Sequence, residues 1–147
     1  QGRCTLLGVA VPVQAAPASA DQLILQVDAG SDANRFRLRN LAGGATLLVG
    51  DVLAGAVTDA PGLGSLTPGA PLRFGVSIEG TGRIAGCVNG GTVQASTGGP
   101  VGGQTTLRIG NNASLTEPAF LELATLQILP FAVPDSGLRG LVASLPG

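Results

Sequence analysis

Alternation of apolar and polar residues recurs along most of this chain and is clearest in residues 71–79. Leu72, Phe74, Val76 and Ile78 lie on one side of that segment. A period of two residues is typical of a β-strand with one buried face. Similar segments predict about ten strands, in residues 1–13 and at 22–28, 35–41, 45–50, 51–57, 71–79, 83–88, 92–95, 105–110 and 120–129.

The last of these segments, residues 120–129, is the most continuous apolar run in the chain. Pro130 and Pro134 follow it, and neither fits the interior of a strand or helix. The apolar positions then change to helical spacing: Leu138, Leu141, Val142 and Leu145. We therefore predict that a long strand turns a corner into one short helix over residues 135–145 and closes the fold.

Glycine and asparagine mark the turns between the strands. Asn89 and Gly90 supply the positive φ angles of a tight hairpin, whereas residues 59–69 and 98–103 have the composition of loops. Short strands at regular spacing are typical of antiparallel sandwiches. We predict an all-β, antiparallel β-sandwich of the jelly-roll type, formed as a single domain by residues 1–147, with one short C-terminal helix.

Few residues carry a charge. Charged residues make up 12% of the chain, its formal net charge is −1, and 44% of its residues are hydrophobic. This balance excludes bulk electrostatic attraction to nucleic acid or to an anionic membrane. No apolar stretch reaches the roughly 18–20 residues that a membrane span needs. So little surface charge indicates that a partner covers part of the surface.

The first 20 residues bear on processing. The chain begins at Gln1 rather than at a methionine, so we expect a processed product or part of a longer protein. Residues 15–20 resemble the cleavage region of a signal peptide. The apolar run before them is short and contains Pro12, so we favour a first strand followed by a loop.

Cys4 and Cys87 are the only cysteines of the chain. Two cysteines in the strands of one sandwich can form a disulfide where the geometry fits. We favour the alternative, two small buried apolar residues. Since the chain has no histidine, two cysteines do not make a zinc site, and we predict neither a metal nor a cofactor.

The chain holds few catalytic groups. A glycosidase needs two carboxyl groups at a fixed separation, and the pair nearest the last strand is Glu117 and Glu122. Their odd offset along a strand places them on opposite faces, and Glu122 is more simply a solvent-facing residue. Without histidine, lysine or a Gly-x-Ser-x-Gly segment, acyl transfer lacks a base. We predict that the protein is not an enzyme.

Polar loop residues are the candidates for ligand binding. Glycan recognition usually adds a flat aromatic ring, but the four phenylalanines lie in or beside apolar runs and are predicted to be core residues: Phe36, Phe74, Phe120 and Phe131. Six loop residues remain as candidates for glycan contact: Asp28, Asp32, Asn34, Asn89, Asn111 and Asn112. Turn formation explains each of them about as well.

Asp28, Asp32 and Asn34 also present the hard oxygen ligands that calcium takes. Their spacing matches no strict calcium-loop template, so we prefer a turn over a metal site.

Arg35, Arg37 and Arg39 form a cationic row on one face of a strand. Such a row is usually solvated or paired with a partner. Less often it holds an acidic polysaccharide or an acidic neighbouring protein.

The order of the motifs resembles that of one family. The motifs are Asp28-Ala29-Gly30, residues 34–39 (Asn-Arg-Phe-Arg-Leu-Arg), Thr67-Pro68-Gly69, residues 88–91 (Val-Asn-Gly-Gly), residues 106–110 (Thr-Leu-Arg-Ile-Gly), and the closing strand with its Leu-Pro corner and Leu-x-x-Leu helix. From Thr5 onward the chain resembles the concanavalin A-like (laminin-G-like) jelly-roll modules of bacteriophage head-spike and tail-fibre proteins, including gene-transfer-agent spikes. Ile128 and Leu129 stand where that family typically has aromatic residues.

The resemblance implies an oligomeric appendage on the surface of a virion that faces the host envelope and often binds its glycans. The implied partners are copies of the chain, other virion proteins and host envelope polysaccharide, with no nucleic acid and no membrane insertion. Two alternatives stay open. One is a purely structural capsid or tail component without a ligand, which the absence of Trp and Tyr favours, and the less favoured one is a secreted polysaccharide hydrolase.

Overall fold

The computed structural model describes residues 3–43, 47–54, 57–59, 62–81, 83–96 and 103–147, and for 47–54 and 57–59 the backbone alone. The elements in these residues are β1 (Cys4–Pro12), β2 (Gln22–Asp28), β3 (Asn34–Asn40), β4 (Leu47–Ala54), β5 (Val57–Asp59), β6 (Gly62–Ser65), β7 (Leu72–Ile78), β8 (Ile84–Val88), β9 (Gln94–Ser96), β10 (Thr106–Ile109), β11 (Leu121–Leu129) and α1 (Asp135–Ser144). The prediction of an all-β chain with one short C-terminal helix is confirmed.

The strands form two antiparallel sheets. Sheet A has the order β11-β1-β7-β8-β9, and sheet B has the order β10-β2-β3-β4-β5, with β6 also paired to β4. The first and last strands are neighbours in sheet A, where Thr5 lies opposite Leu129 and Pro12 lies opposite Leu121. The last strand therefore closes sheet A against the first, as predicted.

One apolar core lies between the two sheets. Phe36 and Leu38 of β3 belong to the same buried cluster as Phe74 and Val76 of β7. These residues occupy the alternating positions that predicted half-buried strands. The inter-sheet core therefore forms where the sequence pattern placed it.

A second apolar cluster lies on the outer face of sheet A, beneath α1. Leu7 and Val9 alternate with the inter-sheet residues of β1 and meet Leu138 and Val142 of the helix. Gly75 of β7 lies under the helix, where an added Cβ would stand 3.0 Å from Leu138 Cδ1. The missing side chain lets α1 approach the sheet closely, so both faces of β1 and β7 are buried.

Three features differ from the sequence-based prediction. β4 is one continuous strand where two segments, 45–50 and 51–57, were predicted. β6 lies inside the predicted loop 59–69, because its glycines carry no side-chain alternation that would reveal a strand. Of the predicted loop 98–103, only Gly103 lies within the described residues.

Both cysteines are free thiols. Cys4 packs against the inter-sheet core, whereas Cys87 belongs to the cluster beneath α1, on the opposite face of sheet A. The two thiols therefore cannot meet. The interpretation as a small buried apolar residue is confirmed for Cys87, whereas Cys4 is only half-buried. Burial raises the pKa of both thiols, which keeps them protonated and poorly reactive.

No helix among the described residues has the length and apolar character needed to cross a membrane.

Candidate functional site

The structure gathers five of the six candidate residues at the β2–β3 turn and the loop that follows β10: Asp28, Asp32, Asn34, Asn111 and Asn112. Asn89 lies apart from them, directly after β8 in sheet A. The candidates therefore belong to two separate places on the molecule.

Four charged side chains and one glutamine form a hydrogen-bonded network at the β2–β3 turn. Gln26 Nε2 donates to Asp28 Oδ2 at 2.9 Å and to Asp32 Oδ1 at 2.8 Å. Arg108 Nε donates to Asp28 Oδ2 at 2.7 Å, and Arg35 forms a 2.8 Å ion pair with Asp32. Gln26 and Asp28 are fully buried. We call these five residues the acid–arginine network.

Asp32 also anchors the loop that follows β10. It accepts hydrogen bonds from the backbone N–H groups of Ala113 at 3.1 Å and Ser114 at 3.0 Å, and from the Ser114 hydroxyl at 2.6 Å. Within this loop, Asn112 Oδ1 accepts from the Thr116 N–H at 2.8 Å, and its Nδ2 donates to the Thr116 hydroxyl at 3.0 Å. Asn112 is buried by these contacts.

Asn111 and Asn34 make comparable contacts within the chain. Asn111 Oδ1 accepts from the N–H groups of Asn112 at 3.0 Å and Glu117 at 3.1 Å. Asn34 Oδ1 accepts from Gln104 Nε2 at 3.0 Å. Turn and loop formation thus gives these side chains a structural role.

Burial acts to raise the pKa of Asp28 and Asp32, because a carboxylate loses hydration inside the protein. Hydrogen bonds outweigh that effect, mainly from Arg108 and Gln26 to Asp28 and from Ser114 and Gln26 to Asp32, so the pKa of each carboxyl group lies below its usual range. Both groups are ionised at neutral pH and are held by donors from this chain. The described residues contain no group of three or more His, Cys, Asp or Glu side chains that could hold a metal ion.

The arginine row of β3 is paired within the chain. Among the described residues, each arginine meets a carboxylate from outside the strand: Arg35 meets Asp32, Arg37 meets Glu117, and Arg39 meets Asp21. The expectation was a row that is either solvated or paired with a partner. The solvated alternative is wrong, because loops that carry acidic residues cover this face of sheet B. With its charges neutralised, the row offers little attraction to an acidic polysaccharide.

Glu117 and Glu122 belong to different elements. Glu117 lies before β11 and pairs with Arg37, whereas Glu122 is exposed on the strand, as predicted. The assumption that both carboxyl groups lie on one strand is therefore wrong. Pro118 separates them, and it has no N–H to donate to a strand ladder.

Two of the four phenylalanines are not core residues. Phe36 and Phe74 are buried as predicted, but Phe120 is 61% exposed and Phe131 is 54% exposed. The core prediction for Phe120 and Phe131 is wrong because they lie just outside the two ends of β11, where strand alternation no longer sets the direction of a side chain. The sequence does indicate that both residues lie outside the strand, because a proline lies within two residues of Phe120 and of Phe131.

A cleft of about 410 Å³ opens where β6 of sheet B meets the β8–β9 hairpin of sheet A. Its polar side chains are all uncharged: Ser65, Asn89, Thr92 and Gln94. Glycines and two apolar residues complete the lining: Gly62, Leu63, Gly64, Val88 and Gly91. The volume lies within the roughly 300–1,000 Å³ of small-ligand pockets. Amide and hydroxyl groups in such a cleft suit a ligand that carries hydroxyl groups.

Asn89 is positioned in the cleft by the hairpin turn. It has a φ of 52° and Gly90 has a φ of 71°, as the Asn-Gly pair predicts. Asn89 Oδ1 accepts a hydrogen bond from the Arg73 N–H at 3.0 Å. This contact fixes the amide plane and leaves Nδ2 as its donor for a ligand. Of the six candidates, Asn89 alone lines the cleft.

The other polar groups of the cleft were missed by the sequence analysis. Ser65 lies on β6, a strand whose glycines give no alternating pattern in the sequence. Thr92 and Gln94 resemble ordinary solvent-facing residues beside a turn. The pairing of β6 with β4 and the packing of β6 against β8 bring these groups together. No local signal in the sequence predicts that packing.

No family model matches this chain, and no curated protein matches its sequence. Solved structures do match it. The CBM40 domain of Ruminococcus gnavus IT-sialidase, bound to α2,3-sialyllactose, is 11% identical over 96% of this chain and 82% of that chain, with a TM-score of 0.73. A heptameric SAP-like pentraxin from Limulus polyphemus is 16% identical over 97% of this chain and 70% of that chain, with a TM-score of 0.69.

Botulinum neurotoxin type C, which depends on interaction with two ganglioside molecules to enter cells, is 8% identical. That match covers 99% of this chain and 36% of that chain, with a TM-score of 0.69. Identities this low establish the fold and not the activity. The chain has the concanavalin A-like jelly-roll fold that the resemblance implied.

Proposed function

We propose that this chain is a non-catalytic, glycan-binding module on the surface of a phage or phage-like particle, within a head spike or tail fibre built from several copies. The observation that carries the binding function is the uncharged cleft beside Asn89. The virion setting rests on the order of motifs along the sequence.

The cleft supports binding of a neutral sugar. Its hydrogen-bonding groups are two amides and two hydroxyls, from Ser65, Asn89, Thr92 and Gln94. A sugar carboxylate would gain no ion pair from the residues that line it, and charge-assisted hydrogen bonds are the strong ones. The similar structures favour a glycan as the ligand class, since one was bound to sialyllactose and another interacts with gangliosides.

Glycan contact by the other five candidates stays a prediction. The hydrogen bonds that Asp28 and Asp32 make within the chain argue against it for those two residues. Absence of catalysis is also part of the proposal. It is supported by the separation of Glu117 from β11 and by the ion pair that Glu117 forms with Arg37.

Calorimetric titration with neutral and acidic oligosaccharide fractions from the host envelope tests the proposal. We expect the neutral fraction to bind, and Gln94→Ala to weaken binding about 10-fold, the effect of losing about 1.4 kcal/mol. Gln14→Ala is the matched control, because Gln14 is an exposed glutamine outside the cleft, and it should leave affinity unchanged.

The other outcomes of this titration are equally informative. If Gln94→Ala binds the glycan as tightly as the wild-type chain, the glycan binds outside the cleft. If neither fraction binds, the chain is better explained as a purely structural virion component.

Antibody labelling of intact particles tests the location separately, and a chain found only free of particles would refute the virion setting.

A further inference from the structure

Strand β11 is a long edge that the described residues leave open on one side. It spans nine residues and pairs with β1 alone. The other strands that pair on one side only are shorter, with three residues each in β5 and β9 and four each in β6 and β10. Short edge strands limit unwanted pairing, whereas a long edge presents a row of backbone N–H and C=O groups to another chain.

Several side chains along this edge are apolar and exposed. Leu123 and Ile128 lie opposite Ala10 and Leu6 of β1, so they point to the inter-sheet side, yet Ile128 is 58% exposed. Phe120 and Phe131 lie beyond the two ends of the strand, and together with Leu123 and Ile128 they expose roughly 400 Å² of apolar surface along this edge. Glu122 is the only charged residue within β11.

We propose that β11 pairs antiparallel with β11 of a second copy of this chain. Such pairing about a two-fold axis is self-complementary, because each copy presents the same donors and acceptors. It also continues the antiparallel order of sheet A. The proposed function includes assembly from several copies, and this interface is where two of those copies would meet. The pairing does not depend on glycan binding.

The regular part of β11 selects the register. The pairing with β1 skips Ala124, and Pro130 ends the strand, so the uninterrupted segment is 125–129, centred on Gln127. In a dimer centred there, Gln127 faces Gln127 of the second copy, and Leu126 faces its Ile128. The two Glu122 carboxylates lie on the order of 30 Å apart, which avoids the repulsion of like charges across strands.

The available area suits a dimer. A stable interface buries about 800 Å² on each partner. In this register Leu123 lies opposite Phe131 of the second copy, and with Ile128 these residues supply roughly 300 Å² of that area. The backbone of residues 125–129 and the polar side chains of that segment supply more. The two five-stranded sheets would join into one sheet of ten strands, with both clefts at its far edges, next to β9.

Sedimentation velocity of the purified full chain over a range of concentrations tests the interface. We expect the wild-type chain to dimerise and Ile128→Lys to weaken dimerisation at least 10-fold, because a lysine would be buried against Leu126. Leu115→Lys is the matched control, since Leu115 is a more exposed leucine away from β11, and it should dimerise normally. Circular dichroism verifies that each variant is folded.

Oxidative cross-linking tests the register independently. Gln127→Cys should give disulfide-linked dimers, because directly opposed residues lie within disulfide range, while Glu122→Cys should not. Both variants retain Cys4 and Cys87, so any cross-link through the native thiols appears in both. A monomeric wild-type chain, dimerisation unaffected by Ile128→Lys, or cross-linking through residue 122 rather than 127 would each overturn the proposal. Loss of glycan binding alone would not.

Discussion

The close approach of α1 to sheet A predicts a coupled effect of two substitutions. A methyl group added at Gly75 would stand 3.0 Å from Leu138 Cδ1 and 3.1 Å from Leu7 Cδ2, and closer still to Val142 Cγ2. The ends of the two leucines can move by the few tenths of an ångström required. Val142 is fully buried, so its methyl group is the main obstacle.

The expected free energies of unfolding follow from this geometry. Gly75→Ala should destabilise the fold by about 1–3 kcal/mol through overpacking. Val142→Ala should cost about 2 kcal/mol through lost burial and the cavity that it leaves. In the double variant the added methyl occupies space that the valine vacates. The combined cost should therefore fall below the sum of the single costs by about 1 kcal/mol or more.

Urea unfolding followed by far-ultraviolet circular dichroism measures these values, since the chain has no Trp or Tyr for fluorescence. The midpoints should shift while the slopes stay equal. Gly140→Ala is the matched control, because nothing lies within 4 Å of its added methyl. It should stabilise the helix by about 0.5–1 kcal/mol. Additive costs, within about 0.5 kcal/mol, would refute the proposed contact between Gly75 and Val142.

Three further predictions concern stability. The pKa values of Asp28 and Asp32 are lower in the folded chain than in the unfolded chain. The stability that results is present above about pH 4 and is lost as the pH falls toward the pKa values of the folded chain. Acid unfolding curves should show this decline, and Asp32→Asn should make it less steep. Thr5→Val should cost about 1–3 kcal/mol in urea unfolding, because the Val133 N–H loses the hydroxyl that accepts its hydrogen bond at 3.0 Å, whereas Thr5→Ser should cost less. Gly90→Ala should cost about 1–3 kcal/mol in thermal unfolding, because alanine disfavours a positive φ.

Local periodicity accounts for the part of the fold that the sequence predicted. Phe74 and Val76 alternate along β7, and Leu138 and Val142 follow helical spacing in α1, because in each element one face carries the large apolar side chains. The Asn89-Gly90 turn was also predictable, since positive φ angles depend on local residue chemistry. These features need no knowledge of the neighbouring strands.

Long-range arrangement accounts for what the sequence did not predict. Arg37 is buried because a distant loop brings Glu117 over sheet B, and Ser65 enters the cleft because β6 pairs with β4. Ile128 is exposed because β11 lies at the edge of sheet A. Each outcome depends on sheet order, which local periodicity does not encode.

The pairing of β1 with β11 and the covering of β1 by α1 have a consequence for biosynthesis. Thr5 pairs with Ser77 of β7 on one side and with Leu129 of β11 on the other, and Leu7 is covered only once Val142 has been made. Contacts this distant along the chain slow folding, because a long loop must close before they form. An apolar strand that is made early must therefore wait until β11 and α1 have been made. Sheet A is completed late, and the incomplete chain is open to aggregation until then.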